Sequence, residues 1–215
     1  PRPEFDGAQD FDFLLRLTEK TDKIEHIAEP LYHWRQSAQS TSLDTGAKPQ
    51  AHSRGARALK DALGRRGIEG EVLTANAPHF FRVRRRIIGT PSVTIIIPFR
   101  DQPRLLQKCL SSILARTRYA NFQILGIDNG SVDQLTLEIK DHFETANDRV
   151  AFLNWERPFN FAEIVNFGVS QSPTDHVVLM NNDIEVINSD WLESLLEHSQ
   201  RPEIGAVGGK LFYPN

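Results

Sequence analysis

Cysteine is nearly absent: Cys109 is the only one in 215 residues, so no intrachain disulfide can form. A lone thiol suits a reducing compartment, and a cytoplasmic location is the expectation. Long apolar runs are missing too. None approaches the roughly 18 residues that a membrane-crossing helix needs, and no signal-peptide pattern opens the chain. The chain has no excess of positive charge: its formal net charge is −3, which argues against a nucleic-acid partner. Glycine occurs 13 times but never in a phosphate cradle. Neither Gly-x-Gly-x-x-Gly nor Gly-x-x-x-x-Gly-Lys-Ser/Thr is present, which excludes the usual dinucleotide and P-loop sites. What is present is ordinary for a globular protein, with 40% hydrophobic and 25% charged residues, enough for one or two cores.

The charge is unevenly spread. Residues 1–51 hold six Lys/Arg against nine Asp/Glu, residues 52–90 nine against three, and residues 91–215 ten against sixteen. The basic middle contains Arg82, Arg84, Arg85 and Arg86. It reads as a solvated connector with one charged face. The sharper alternative is contact with anionic lipid headgroups or a lipid-diphosphate acceptor.

Two kinds of pattern divide the chain. In the first part, Phe11, Leu14, Leu15 and Leu17 give residues 8–20 an apolar helical side, and Ile24 to Ile27 suggests a short strand. Residues 36–53 read as a linker, a helix is expected over about 54–66, and Val72-Leu73 and Phe80 to Ile88 read as extended connectors. From Ser92 onward, strands alternate with helices. Val93 to Ile97 is a continuous β-branched run, as in a strand buried on both faces of a parallel sheet. Further strands are expected at Ile124–Ile127, Val150–Leu153 and Val177–Met180. The helices between them have apolar stripes such as Leu106, Cys109, Leu110, Ile113 and Leu114. Asp101 is placed to cap the helix whose first turn holds Pro103. The fold class is therefore α/β, a doubly wound, mostly parallel sheet with flanking helices, preceded by a helical and extended segment.

Ligands of open α/β sheets bind beyond the carboxyl ends of the strands. Three strand ends here carry polar groups: Pro98-Phe99-Arg100-Asp101, Asp128-Asn129-Gly130-Ser131 and Asn181-Asn182-Asp183. With parallel strands all three meet at one edge. Lacking a glycine cradle, a diphosphate there needs a metal ion to offset its charge. Mg or Mn, which prefer oxygen ligands, suit Asp183 with Asn181 nearby. Each motif also has a plainer explanation. Asp-Asn-Gly-Ser is a good turn, Asn181 to Asp183 makes a solvated strand end, and Asn160 and Asn166 make helix caps or contacts. Cys109 reads as core and Glu185 as a surface charge.

Taken in order, these segments resemble the inverting family-two glycosyltransferases of the GT-A fold. The opening strand Ser92 to Asp101 is similar to theirs, and Asp128-Asn129-Gly130-Ser131 resembles their Asp-Asp-Gly-Ser motif. Pro158-Phe159-Asn160-Phe161-Ala162 with Asn166 resembles the helix after their third strand, and Met180 to Val186 resembles their Asp-x-Asp metal motif. Trp191-Leu192 and Gly205 to Leu211 continue the pattern, so the resemblance covers nearly all of residues 91–215. It implies that Pro98, Phe99, Asp101 and Asn129 lie along the nucleoside, that Asp128 binds the base or ribose, and that Asp183 with Asn181 holds a Mg or Mn ion bridging the diphosphate. Two positions depart from the family: Asn181 and Asn129 stand where aspartates are usual, which implies a weaker hold on metal.

The front end resembles a later part of the same family. Gln9-Asp10 stands where a Glu-Asp pair opens a helix, which implies that Asp10 is a general base. Ile27 to Arg35 resembles the following stretch, which implies that His33 completes a metal site. The order, base segment before nucleotide segment, is wrong for one domain. The expectation is a fragment of a tandem bacterial surface-polysaccharide transferase. Residues 1–45 would be the tail of one glycosyltransferase domain, 46–90 a linker, and 91–215 the nucleotide-binding half of the next. Asp10 and His33 would then serve the preceding domain. A permuted single unit, with the front segment docked on the second, is the rival account. The implied function is transfer of a sugar, with inversion, from a nucleoside-diphosphate sugar to a glycan or lipid-linked acceptor at the cytoplasmic side of the inner membrane, with peripheral contact. The fragment alone is expected to be inactive. A non-catalytic nucleotide-binding or assembly module is the alternative, and a sugar-nucleotide pyrophosphorylase lacks its glycine- and arginine-rich first loop.

Overall fold

The computed structural model describes residues 2–33, 49–75, 77 and 80–213. Trp34, Arg35 and most of the Ser/Thr-rich stretch expected as a linker lie outside the described residues. The chain divides into two compact units, Pro1–Arg86 and Ile87–Asn215.

In the first unit, helix α1 (Gln9–Leu17) packs against helix α2 (Pro49–Arg65), and strands β1 (Gly70–Thr74) and β2 (Phe81–Arg85) pair as an antiparallel hairpin. The two segments read as extended connectors are therefore partners, and α2 begins earlier than its apolar pattern suggested. Ile24 to Ile27 forms no strand. On the apolar side of α1, Phe11, Leu14 and Leu17 are exposed and Leu15 is half-buried, with the Phe11 ring stacked on Phe81 at 6.3 Å, whereas Asp12 is buried. Asp12 is held by the guanidinium of Arg2 and by Arg16 Nε at 3.2 Å. Those partners, Arg2 foremost, keep its carboxyl below the usual range. Nearby, Phe5 is fully buried, with the Arg2 guanidinium 4.1 Å and that of Arg57 5.4 Å from its ring centre.

The second unit is a four-stranded parallel sheet flanked by helices. In chain order it runs β3 (Val93–Phe99), α3 (Pro103–Arg116), β4 (Phe122–Asp128), α4 (Gln134–Ala146), β5 (Val150–Asn154), α5 (Phe161–Ser170), β6 (His176–Leu179) and α6 (Trp191–Ser199). The strand order is β5-β4-β3-β6, so the chain winds outward one way from β3 and then returns to its other side. This is a doubly wound sheet whose switch point lies between β3 and β6.

The β-branched run of β3 is buried on both faces, as its sequence implies. Val93, Ile95, Ile97 and Phe99 pack with Leu106, Leu110 and Ile113 of α3, Ile139 and Phe143 of α4, and Leu192 and Leu196 of α6. Ile96 faces the other side with Ile127, Trp155 and Ile164. Helix α5 lies so close to that face that a Cβ on Gly168 would sit 2.6 Å from Ile96 Cγ2. Gly126 similarly leaves room for the rings of Phe152 and Phe99, which meet edge to face at 5.8 Å.

Candidate active site at the carboxyl edge of the sheet

Parallel pairing fixes which residues meet at the edge. Phe99 lies opposite Asp128, Asp128 opposite Asn154, and Ile96 opposite Leu179, so the loops after β3, β4, β5 and β6 leave the sheet on one side. Asn129 N donates to the carbonyl of Phe99 at 2.9 Å, and Met180 N donates to that of Ile96 at 3.0 Å. The three polar strand ends expected from the sequence are thus brought together.

Asp101 does not cap α3. The N-cap is Gln102, without a side-chain cap bond, and both residues hold left-handed backbone, with φ of 51° and 57°. Such geometry is unfavourable for residues other than glycine and needs support. The support comes from the neighbouring loop. Asp101 Oδ1 accepts from Val132 N at 2.8 Å and Asp133 N at 2.9 Å, while Asp101 N donates to Ser131 Oγ at 2.8 Å. The carboxylate spent on this stitch cannot also reach α3. Those two backbone N–H groups, helped by Arg100, lower the Asp101 pKa. The stitch is therefore complete above the ordinary carboxylate range and is lost as pH falls through the folded pKa, below about 3.9. In an acid titration followed by NMR, the Val132 and Asp133 amide resonances are expected to shift together, with a midpoint below that value; a midpoint at or above it would contradict the assignment.

Asp128 is buried. Its Oδ1 accepts from Ser131 N at 2.8 Å, and its Oδ2 is paired with the Lys140 ammonium. Lys140 Nζ also donates to Asn154 Oδ1 at 3.3 Å and lies 6.0 Å from the Phe99 ring centre and 5.9 Å from that of Phe152. The sequence did not flag Lys140 or Asn154. Lys140 is the only Lys or Arg of α4, twelve positions from its partner, and only the helix packing brings it to the edge. Beside Asn154, the loop 154–157 and the face of α5 bearing Glu163, Asn166, Phe167 and Ser170 enclose an open cleft of about 520 Å³. Trp155 and Phe167 form its apolar part, and Arg157 lies over the Trp155 ring at 5.4 Å. Asn160 is an N-cap: its Oδ1 accepts from Glu163 N at 3.3 Å.

Past β6, Asn181 and Asp183 are exposed. The Asn181 carbonyl accepts from the buried Cys109 thiol at 3.7 Å. Burial, with Asp183 and Glu185 close by, pushes that thiol up to about 12, so Cys109 is an unreactive core group beneath the loop. Glu185 is tied to Lys108 at 3.3 Å, whereas Asp183 has no hydrogen-bond or ion-pair partner among the described residues. For a divalent cation the loop offers one free carboxylate with the amide oxygens of Asn181 and Asn182. No group of three His, Cys, Asp or Glu able to hold a metal occurs among the described residues. The donor set fits a cation that takes its other oxygens from a diphosphate and water, and does not fit one held by protein alone.

Asp10 and His33 belong to the first unit and are exposed, Asp10 in the first turn of α1. The basic run of β2 is answered within its own hairpin: Glu71 lies opposite Arg84, and Arg86 pairs with Glu69 at 2.6 Å. Among the described residues no helix is long and apolar enough to cross a membrane.

Comparison with known proteins agrees with this architecture. Residues 94–215 match the model of the family described as glycosyl transferase family 2. The chain is 41% identical over 213 residues to O-antigen biosynthesis protein RfbC of Myxococcus xanthus, covering 99% of this chain and 16% of that protein. It is 43% identical over 217 residues to the uncharacterized protein y4gI of Sinorhizobium fredii, covering 100% of this chain and 24% of that one. Both alignments run through both units, and the chain spans less than a quarter of either relative. Among solved structures, mannosyltransferase PcManGT from Pyrobaculum calidifontis, in complex with GDP-Man and Mn2+, superposes with a TM-score of 0.50 at 17% identity, over 54% of this chain and 34% of that one. A likeness at that identity speaks to the fold, which is that of the GT-A transferases. With the family model matching more than half of its length, over the unit whose strand ends form this edge, the chain belongs to glycosyl transferase family 2.

Proposed function

We propose that this chain carries the donor half of an inverting glycosyltransferase that takes a sugar from a nucleoside diphosphate and delivers it to a glycan or lipid-linked acceptor in cell-surface polysaccharide synthesis. One observation carries the reading. The strand order brings Pro98 to Asp101, Asp128 to Ser131 and Asn181 to Asp183 to one edge, at the switch point where α/β sheets bind their ligands. In this reading Pro98, Phe99, Asp101 and Asn129 flank the nucleoside, Asp128 takes the base or ribose, and Asp183 with Asn181 holds Mg or Mn. A bound cation supplies positive charge that stabilises the leaving diphosphate. The nucleotide sugar in the PcManGT complex and the O-antigen role in the name of RfbC support the donor class and the pathway.

The acceptor hydroxyl must lose a proton as it attacks the anomeric carbon, and a positioned carboxylate takes it. Asp10, exposed and unpartnered among the described residues at the start of α1, suits that role. We assign Asp10 and His33 to a preceding domain of a tandem protein, with residues 1–45 as its tail, 46–90 as connector and 91–215 as the next domain's donor half. Transfer by this chain alone is then absent, and detectable turnover would favour the permuted account. Peripheral contact with the inner membrane is the reading suggested by the basic run Arg82 to Arg86, within which Arg86 pairs with Glu69.

The test is calorimetric titration with uridine, thymidine and guanosine diphosphates, with and without manganese. Binding of at least one, strengthened by manganese, is expected. If none binds, either to this chain or to a version extended past Asn215, the non-catalytic module is the better account.

A further inference from the structure

Lys140 carries three N–H donors. One is directed to Asp128 Oδ2 and one to Asn154 Oδ1, at 3.3 Å. No further oxygen acceptor is recorded for it among the described residues; its other neighbours are the Phe99 and Phe152 rings. Because Asp128 and Asn154 are the last residues of neighbouring strands, in register, the ammonium sits at the ligand edge of the sheet rather than inside the helix layer. Its side chain is 15% exposed, against 4% for that of Asp128. Asp128 is not exhausted as an acceptor. Ser131 N and Lys140 occupy one site on each oxygen, and each oxygen has a second lone pair.

We propose that Lys140 reads the nucleobase: with Asp128 it forms a donor–acceptor pair that takes a base carrying a ring carbonyl next to a ring N–H. The proposal rests on the nucleoside-diphosphate reading above and narrows it. Uracil and thymine present O4 beside N3–H, and guanine presents O6 beside N1–H. The carbonyl accepts the third N–H of Lys140, and the ring N–H donates to Asp128. Cytosine reverses both groups, setting its amino donor against the ammonium and its bare ring nitrogen against the carboxylate. A site built to hydrogen-bond a ligand rejects an analogue that leaves its polar groups unpaired. Lys140 also bears on the departure at Asn129, where the family usually has an aspartate: with an amide there, the charge balance at this strand end is one carboxylate against one ammonium, and the base is read by hydrogen bonding rather than by net charge.

The chain, as wild type, Lys140→Met and Lys140→Arg, is titrated with UDP, dTDP, GDP and CDP in the presence of manganese, with thermal unfolding of each variant as a control for folding. For wild type, at least one of the three keto-base diphosphates is expected to bind tenfold or more tighter than CDP. In Lys140→Met the ratio falls to within about threefold, through loss of keto-base binding, while Lys140→Arg, still a cationic donor, keeps a preference. Equal binding of CDP and the keto-base diphosphates to wild type overturns the proposal without need of any variant. So does a folded Met variant with an unchanged ratio, or a folded Arg variant that loses the preference as fully as Met. Failure of all four diphosphates to bind overturns the nucleotide reading, and this one with it; binding without base preference overturns this one alone.

Discussion

Replacing Asp183 by alanine is expected to weaken manganese-linked binding of a nucleoside diphosphate by about a hundredfold, about 2.7 kcal/mol, while thermal unfolding stays within about 0.5 kcal/mol of wild type. The expectation comes from comparing the carboxylates at the edge. Asp101 is committed to two backbone N–H groups, Asp128 to Lys140 and Ser131, Asp133 to the cap of α4 and Glu185 to Lys108. Asp183 alone among these five is exposed and without a hydrogen-bond or ion-pair partner among the described residues. A group with no internal partner can be removed without loss of fold, and it is the one able to take a cation. The measurement is calorimetry with and without manganese on the two proteins. Metal-linked binding that survives in the alanine variant would remove Asp183 from the site.

Replacing Asp128 by alanine is expected to act on both binding and stability. It strands the Lys140 ammonium, whose side chain is only 15% exposed, with Asn154 as its remaining hydrogen-bond acceptor, and it frees the Ser131 amide. Leaving one partner of a buried ion pair uncompensated costs about 3 kcal/mol. A lower urea midpoint at unchanged slope is expected, together with loss of nucleotide binding. Asp128→Asn keeps an acceptor oxygen for Ser131 and is expected to be the milder change. The contrast with Asp183→Ala is the informative part: one aspartate is removed at no structural cost, the other is part of the frame that presents the base site. An Asp128→Ala protein as stable as wild type would show that the Lys140 pair contributes nothing in solution.

The second unit was largely legible in the sequence because its signals are local and periodic. A run of β-branched residues such as Val93 to Ile97 has few stable alternatives to a strand covered on both faces, and the apolar spacing of Leu106, Cys109, Leu110 and Ile113 describes one side of one helix. Polar residues after successive parallel strands must leave the sheet at the same edge, so the segments that hold Phe99, Asp128 and Asp183 are legible as sharing one edge before any contact is known. Asn160 is legible as a cap or helix contact for the same reason, since a cap depends on residues three positions away.

Where partners are distant, those signals fail. Asp101 reads as the cap of α3 because it precedes Pro103, but its carboxylate is taken by backbone amides some thirty residues on, in a loop that only the β3–β4 pairing brings near. In α1 the apolar side does not hold the most buried position. The buried position is Asp12, because Arg2 and Arg16 compensate its charge and leave Phe13 and Leu14 outside. The short extended pieces at Gly70–Thr74 and Phe81–Arg85, of which only the second alternates apolar and polar residues, become strands by pairing with each other. Lys140 is the clearest case: by spacing it is a surface lysine on an amphipathic helix, and it joins the site because α4 packs so that its side chain reaches the ends of β4 and β5. The sequence by itself determined the elements, their order and the edge at which the chemistry lies, since periodicity and strand polarity are properties of short segments. Which carboxylates are free and which are bound was decided only by the tertiary structure, because hydrogen bonds and ion pairs form between groups that the fold, and not the chain, makes adjacent.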